Sequence, residues 1–200
     1  MTQERLAQIH SSFENEGPIL RASQLLKHGV CSKDIRQLLS NNDILRIKAG
    51  YYVWRDRIDQ LSDNQIAVSV IPNATLYYLS AAEQYGFTTV IPDAVHIAVP
   101  NAGQVPKPPD FPPIRITQFM PPLFYLGRTA ITIDSFILPI YDRERTVCDI
   151  FKRRDEIGDD VALEIIREYM RGARNIQRLY EYARKMRLEK KVYTYVEALA

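Results

Sequence analysis

The first stretch of the chain has the spacing of one amphipathic helix. Leu6, Ile9 and Phe13 fall at positions i, i+3 and i+7, so their side chains share one helical face. Residues 14–18 contain Gly17 and Pro18, which end the pattern. The sequence therefore predicts one surface helix that buries a single apolar stripe.

A second, shorter helix is predicted from about Ala22 to Lys27. Leu25 and Leu26 are expected to face inward. Gly29 follows the last turn, where glycine commonly adopts the left-handed conformation that ends a helix. A tight turn is therefore expected before the next element.

The third helix is predicted to begin at Ser32, which is a good N-cap residue. Asp34 lies in its first turn, where the helix dipole favours an anion. Its buried side is expected to consist of Ile35, Leu38 and Leu39. The outward side is then polar.

Two β-prone runs follow, residues 44–48 and 51–54, and only Ala49 and Gly50 separate them. Such a spacing predicts a β-hairpin. Helix, helix, glycine turn, helix and hairpin is the element order of a winged helix-turn-helix. We assign this domain, with a linker, to residues 1–70.

Residues 71–200 are predicted to form an α+β domain with a small sheet and C-terminal helices. Asn73 is expected to cap a helix that runs through Tyr85, and the six prolines of residues 100–113 predict a loop. Strands are predicted at residues 95–99, 114–119, 131–133 and 137–140, and helices at 144–154, 160–171 and 175–189.

The composition is that of a globular protein, with 46% hydrophobic and 25% charged residues among 200. Two cysteines, Cys31 and Cys148, predict no disulfide framework and favour a reducing compartment. No apolar run is long enough to cross a bilayer, and residues 1–5 do not begin a signal peptide. We expect a cytoplasmic protein with no membrane partner.

Charge is unevenly distributed. Residues 1–57 carry nine basic and six acidic side chains, a net +3, and residues 143–200 carry fourteen and eleven, also +3. Residues 58–142 carry three and seven, a net −4. This distribution, in which both ends are basic and the central region is acidic, favours a polyanionic partner.

The outward face of the third helix carries side chains that suit DNA. In a helix-turn-helix the second helix of the pair enters the major groove, where Arg and Lys fit guanine and Gln fits adenine. The predicted DNA-binding residues are Ser32, Lys33, Arg36, Gln37 and Ser40 on the helix, with Arg46 and Lys48 on the hairpin. The alternative is that these cations form only a solvated face.

Catalytic motifs are not found. The sequence contains no phosphate-binding glycine loop, no nucleophile elbow and no zinc-ligand spacing. Asp134, Asp142 and Asp149 could meet in space, although their spacing does not require it, and Asp93 is another acidic candidate. We expect no enzyme activity, no metal and no cofactor; a nuclease targeted by the helix-turn-helix is kept as an alternative.

Arg145 is predicted to have a structural role. It follows Glu144 at a helix start, and Asp149 lies one turn further along the same helix. An ion pair combined with helix capping suits that spacing better than catalysis does.

Five segments resemble AbiEi-type antitoxins of type IV toxin–antitoxin systems. The resemblance covers most of the chain and rests on residues 25–32, 45–52, 79–88, 144–151 and 158–163. It includes a helix that ends in Tyr-Gly-Phe-Thr and a Glu-Arg-Thr helix start.

The resemblance implies an antitoxin encoded beside a nucleotidyltransferase-like toxin. The N-terminal domain would bind inverted repeats in operator DNA and repress its own operon, and the C-terminal domain would neutralise the toxin directly or indirectly. A winged-helix transcriptional regulator with a ligand-sensing C-terminal domain is the alternative.

A basic strip is predicted in the C-terminal part, where arginines recur every three or four residues. Its members are Arg167, Arg171, Arg174 and Arg178. They could face a toxin or a nucleic acid. Equally, glutamates such as Glu164 and Glu168 could pair with them and leave only a solvated helix.

Overall fold

The computed structural model describes the backbone of residues 1–199 and the side chains of residues 1–197. The chain forms two compact units. The first contains residues 1–71 and 107–113, and the second contains residues 72–106 and the chain from 114 onward. The segment 107–113 was predicted within the second domain. It belongs to the first unit, where Lys107 accepts a hydrogen bond of 3.0 Å through its carbonyl oxygen from Lys48.

The first unit has the topology of a winged helix-turn-helix. Its three strands form an antiparallel sheet in the order β1-β3-β2. The elements are α1 (Gln3–Glu16), β1 (Ile19–Arg21), α2 (Ala22–Lys27), α3 (Ser32–Ser40), β2 (Ile44–Lys48), β3 (Tyr51–Trp54), a 3₁₀ helix (Arg55–Gln60) and α4 (Asp63–Val70).

One apolar cluster holds this unit together. Its buried members are Ile9, Phe13, Leu20, Leu25, Val30, Ile35, Leu38 and Ile44. The predicted inward position of Leu26 is wrong, because its side chain is 65% exposed. Successive residues of a helix point about 100° apart, and the six-residue α2 buries one stripe that Leu25 already fills.

The start of α3 also differs from prediction by one residue. Cys31 is the N-cap, and Ser32 is the first helical residue. Asp34 accepts a hydrogen bond of 3.1 Å from the backbone N–H of Cys31. The carboxylate of Asp34, at the third helical position, thus accepts the hydrogen bond of the N-cap backbone N–H, and a serine is not needed at the N-cap.

The second unit is built on a mixed five-stranded sheet in the order β6-β5-β4-β8-β7. Its elements are β4 (Thr75–Leu76), α5 (Tyr78–Gln84), β5 (Val95–Pro100), β6 (Ile114–Phe119), α6 (Pro121–Tyr125), β7 (Arg128–Ile133), β8 (Phe136–Tyr141), α7 (Arg143–Lys152), α8 (Arg154–Ile157), α9 (Asp159–Arg171), α10 (Ile176–Lys185) and α11 (Glu189–Leu199). The protein is therefore of the α+β class.

Two predicted helices of this unit are corrected. Asn73 caps no helix; it has a φ of 56°, and the chain continues as β4 between β5 and β8 before α5 begins. The helix predicted over residues 175–189 is divided into α10 and α11 around Arg187, whose φ is 59°. In both places tertiary packing overrides a local helical pattern.

The predicted ion pair between Arg145 and Asp149 is formed, and it is buried in the core of the second unit. Arg145 is 0% exposed, and its Nε lies 3.1 Å from both carboxylate oxygens of Asp149. Its Nη1 donates to the carbonyl oxygens of Leu123 and Leu126 at 2.6 and 3.0 Å. Burial raises the pKa of Asp149 to about 6, although the guanidinium opposes that shift. Arg145 therefore links α7 to the turn around α6.

Candidate nucleic-acid interface

The turn between α2 and α3 is closed by backbone hydrogen bonds. Gly29 has a φ of 72°, and its N–H donates to the carbonyl oxygen of Leu26 at 2.9 Å. The N–H of Val30 donates to the carbonyl oxygen of Leu25, also at 2.9 Å. Val30 and Leu25 are both buried, which completes a Schellman-type helix end. The direction of α3 is thus set by the backbone and by one apolar contact.

Arg5 of α1 fastens the same turn. Its Nη2 donates to the carbonyl oxygen of Gly29 at 2.6 Å and lies 3.1 Å from Oδ2 of Asp34. The hydrogen bond from Arg5 is the largest of the contacts that lower the pKa of Asp34. Sequence reasoning missed Arg5, because 29 positions separate it from Asp34 and no local spacing joins them.

The predicted recognition face of α3 is largely exposed. Ser32, Lys33, Arg36 and Ser40 are exposed, and Gln37 is half-buried. Two of these side chains form hydrogen bonds within the helix. Arg36 Nε donates to the carbonyl oxygen of Ser32 at 3.3 Å, and Ser40 Oγ donates to that of Gln37 at 2.8 Å.

No carboxylate of the described residues forms an ion pair with Lys33 or Arg36. The positive charge of these two side chains is therefore not neutralised within the first unit. Lys33 and Arg36 lie in the N-terminal half of α3, which is the part that reaches base edges when such a helix enters a major groove.

The two predicted hairpin cations occupy different environments. Arg46 is exposed and lies opposite Tyr52 across the hairpin. Lys48 is half-buried: its Nζ donates to the carbonyl oxygen of Lys107 and lies 4.8 Å from the centre of the Tyr51 ring. Burial, and secondly the charge of Arg21, lower the pKa of Lys48. Lys48 was predicted to bind DNA, and its ammonium group already has protein partners.

Arg21, on the strand that pairs with β3 beside the hairpin, is a cation that the sequence analysis missed. It is exposed on β1, directly opposite Tyr51 on β3, with its guanidinium 5.3 Å from the ring centre. β1 has only three residues, so no alternation marks it as a strand. Arg21 and Arg46 are thus the exposed cations on the strands of this sheet, with Lys48 as a partly buried third charge.

The predicted strip of four arginines does not lie on one helix. Arg167 and Arg171 are on α9, Arg174 is in the following turn, and Arg178 is on α10. Arg171 pairs with Glu168, as the spacing allowed, while Arg174 donates to the carbonyl oxygen of Met170. Arg178 lies 4.0 Å from the carboxylates of Asp142 and Glu144.

Three of the four charges in this strip are therefore engaged by the protein itself. Glu164, the other predicted partner, instead accepts a hydrogen bond of 3.1 Å from the backbone N–H of Thr89.

The acidic candidates do not converge. Within residues 1–199, no group of three or more His, Cys, Asp or Glu side chains is arranged to hold a metal ion. Asp134, Asp142 and Asp149 therefore do not form such a group, and Asp93 pairs with Arg115 at 2.6 Å on the surface. The cysteines are both free thiols, Cys31 exposed and Cys148 buried.

No helix in the described part of the chain has both the length and the apolar character that crossing a membrane requires.

No family model matches the sequence, and neither does any curated protein. The fold is similar to that of the Rv2827c protein from Mycobacterium tuberculosis in its crystal structure. That likeness has a TM-score of 0.55, covers 92% of this chain and 72% of the other, and has 15% sequence identity. At this identity the likeness shows a shared fold and nothing further.

Proposed function

We propose that the protein binds double-stranded DNA through α3 and the β2–β3 hairpin, and that it serves as an autorepressing antitoxin of the AbiEi type. The DNA-binding proposal rests on Lys33 and Arg36 of α3, which is the second helix of the α2–α3 helix-turn-helix pair. Both side chains are exposed, and neither has a carboxylate partner among the described residues.

The two parts of this surface would contribute differently. Contacts to phosphates supply affinity and salt dependence, whereas contacts to base edges supply specificity. Arg36 keeps its two Nη groups for a base edge after its Nε bonds to Ser32. Arg46 and Arg21, which lie on the sheet, are suited to phosphates.

The antitoxin proposal rests on the family resemblance. Two of its segments, residues 79–88 and 144–151, overlap α5 and α7 in the core of the second unit. Their role is structural: Tyr85 Oη donates to the carbonyl oxygen of Tyr141 at 2.8 Å, and Arg145 pairs with Asp149. These segments therefore belong to the structural framework of the second unit.

Binding of the purified chain to DNA fragments from upstream of its own reading frame tests the first proposal. Arg36→Ala should weaken specific binding by about 1–3 kcal/mol, or about 5- to 150-fold, as expected for a bidentate base contact. Arg171→Ala is the matched control, because Arg171 is also exposed but already paired with Glu168 in the second unit. Equal affinities of the two variants for DNA would show that Arg36 does not contact a base.

Co-expression with the product of the neighbouring reading frame tests the antitoxin proposal. Growth should stop with the neighbour alone and recover with the full chain. Loss of recovery in a second-unit variant that still folds would assign neutralisation to that unit. An absence of toxicity, or of recovery, would contradict the antitoxin role and leave DNA binding to stand alone.

One observation favours the alternative of a ligand-sensing regulator. The second unit contains an open cavity of about 530 Å³, which is within the range of small-molecule sites. A neighbouring reading frame for a nucleotidyltransferase would favour the antitoxin instead.

A further inference from the structure

The cavity of the second unit combines an apolar wall with a cationic rim. Its apolar lining residues are Pro122, Leu123, Leu126 and Met186, and its charged lining residues are Lys152, Lys185 and Arg187. No carboxylate and no aromatic ring is among the residues that line it. The site therefore differs from a nucleotide pocket, in which aromatic side chains commonly stack on the base.

The apolar wall is held by the buried ion pair. Arg145 Nη1 donates to the carbonyl oxygens of Leu123 and Leu126, and both of these residues line the cavity. Since Arg145 is itself bound to Asp149, the wall is attached to α7 and does not depend on a ligand for its shape. A preformed wall lowers the cost of ordering on binding.

The three cations of the rim lack carboxylate partners. Within the described part of the chain, no ion pair forms at Lys152, Lys185 or Arg187, although the nearby Arg184 pairs with Glu189 at 3.4 Å. Lys152 and Lys185 end α7 and α10, where a cation also complements the helix dipole. Arg187 lies beyond the end of α10, so the dipole does not account for it.

Arg187 adopts a backbone conformation that normally favours glycine. Its φ is 59°, and it occupies the position after the α10 C-cap in a Schellman-type end. Its N–H donates to the carbonyl oxygen of Arg184 at 3.1 Å, and the N–H of Leu188 donates to that of Ala183 at 2.8 Å. Glycine is the usual residue at this position. A strained arginine whose side chain lines a cavity is the kind of backbone outlier that clusters at functional sites.

We propose that this cavity binds a small amphipathic anion, with an aliphatic body against the apolar wall and a carboxylate or phosphate head on Lys152, Lys185 and Arg187. The concave shape and the volume fit a small molecule better than a protein surface, because a stable protein interface buries about 800 Å² on each partner. The site is independent of the proposed DNA and toxin functions, and its test needs neither partner.

Calorimetric titration of the full chain with decyl phosphate, below its critical micelle concentration, tests the proposal. Decyl phosphate and decanoate should bind, whereas inorganic phosphate and decyltrimethylammonium should not. Binding of decyltrimethylammonium with equal affinity would overturn the proposal, because the rim would then contribute nothing. Binding of inorganic phosphate or of a short single-stranded oligonucleotide in place of decyl phosphate would overturn it as well, since the apolar wall would then have no role.

Two matched variants locate the site. Arg187→Gly should lower the affinity for decyl phosphate at least tenfold while the unfolding temperature stays the same or rises, because glycine relieves the left-handed backbone. Lys190→Gln removes one exposed positive charge outside the cavity lining and should leave the affinity unchanged. If the two variants bind decyl phosphate equally, Arg187 does not form the rim and the proposal fails.

Discussion

The two basic ends of the chain have the same net charge, but their cations differ in how often they are paired within the protein. Residues 1–57 and 143–200 each carry +3. In the first unit the cations of α3, Lys33 and Arg36, are exposed and have no carboxylate partner in the described structure. In the second unit most arginines are occupied by carboxylates or carbonyl groups, and Arg145 is completely buried.

The difference shows that net charge is a poor guide to a binding surface. A cation that already lies beside a carboxylate contributes little to the attraction of a polyanion, since its field is cancelled nearby. Arg171 beside Glu168 and Arg178 near Asp142 are such cases. What a partner meets is the set of unpaired charges, which the net charge does not reveal.

The largest expected effect concerns the buried charge of the second unit. Arg145→Met should lower the free energy of unfolding by about 3–5 kcal/mol, because it leaves Asp149 buried without its partner. Thermal and urea unfolding of the full chain measure this decrease. The double variant Arg145→Met with Asp149→Leu should recover part of it; a single variant as stable as the parent would show that the ion pair does not hold this unit together.

A smaller effect is expected from acid. His96 is buried beside the rings of Tyr77 and Tyr78, and burial lowers its pKa from 6.5 to about 4. Between pH 6.5 and 4 the imidazole binds a proton in the unfolded chain but not in the folded chain. The free energy of unfolding is therefore highest above pH 6.5 and falls by about 3 kcal/mol as the pH drops to 4. His96→Leu should flatten this part of the stability-against-pH curve. An unchanged curve would assign the acid sensitivity to another group.

The smallest effect is expected at the exposed cations of the first unit. Lys33→Gln and Arg46→Gln should change the free energy of unfolding by less than about 0.5 kcal/mol, since neither side chain forms an ion pair in the described structure. The same substitutions should weaken DNA binding and reduce its salt dependence, by roughly one unit of slope for each phosphate that is no longer neutralised. A large drop in stability would place these side chains in the fold and not on a binding face.

Much of the first unit was predictable because its elements are local. The hairpin follows from two β-prone runs around Ala49-Gly50, and α2 follows from its apolar residues and the glycine after its end; both predictions are confirmed. Lys33, Arg36, Gln37 and Ser40 were placed on the outward side of α3 from helical periodicity alone; Lys33, Arg36 and Ser40 are exposed, and Gln37 is half-buried. The partner of Lys48, the carbonyl oxygen of Lys107, could not be predicted because it is 59 positions away.

The second unit was less predictable, because more of its structure depends on residues that are distant in the sequence. β4 has two residues, and it is a strand only because β5 and β8 flank it. The cavity unites α6, the end of α7 and the end of α10, and no spacing in the chain relates them. The strip of four arginines was predicted with a break near Gly172, where α9 ends; the carbonyl and carboxylate partners of Arg174 and Arg178 depend on the tertiary structure.

The sequence by itself determined the features that depend on neighbours within about one helical turn or one hairpin: the winged order of elements, the exposed side of α3, and the Arg145–Asp149 pair at i,i+4. Only the tertiary structure decided which cations remain without a carboxylate partner and can bind a polyanion. Ion pairs such as Arg5–Asp34 and Arg178–Asp142 join residues that are distant in the chain. Side-chain periodicity is encoded locally, whereas the neutralisation and burial of charge depend on what the completed fold brings within a few ångströms.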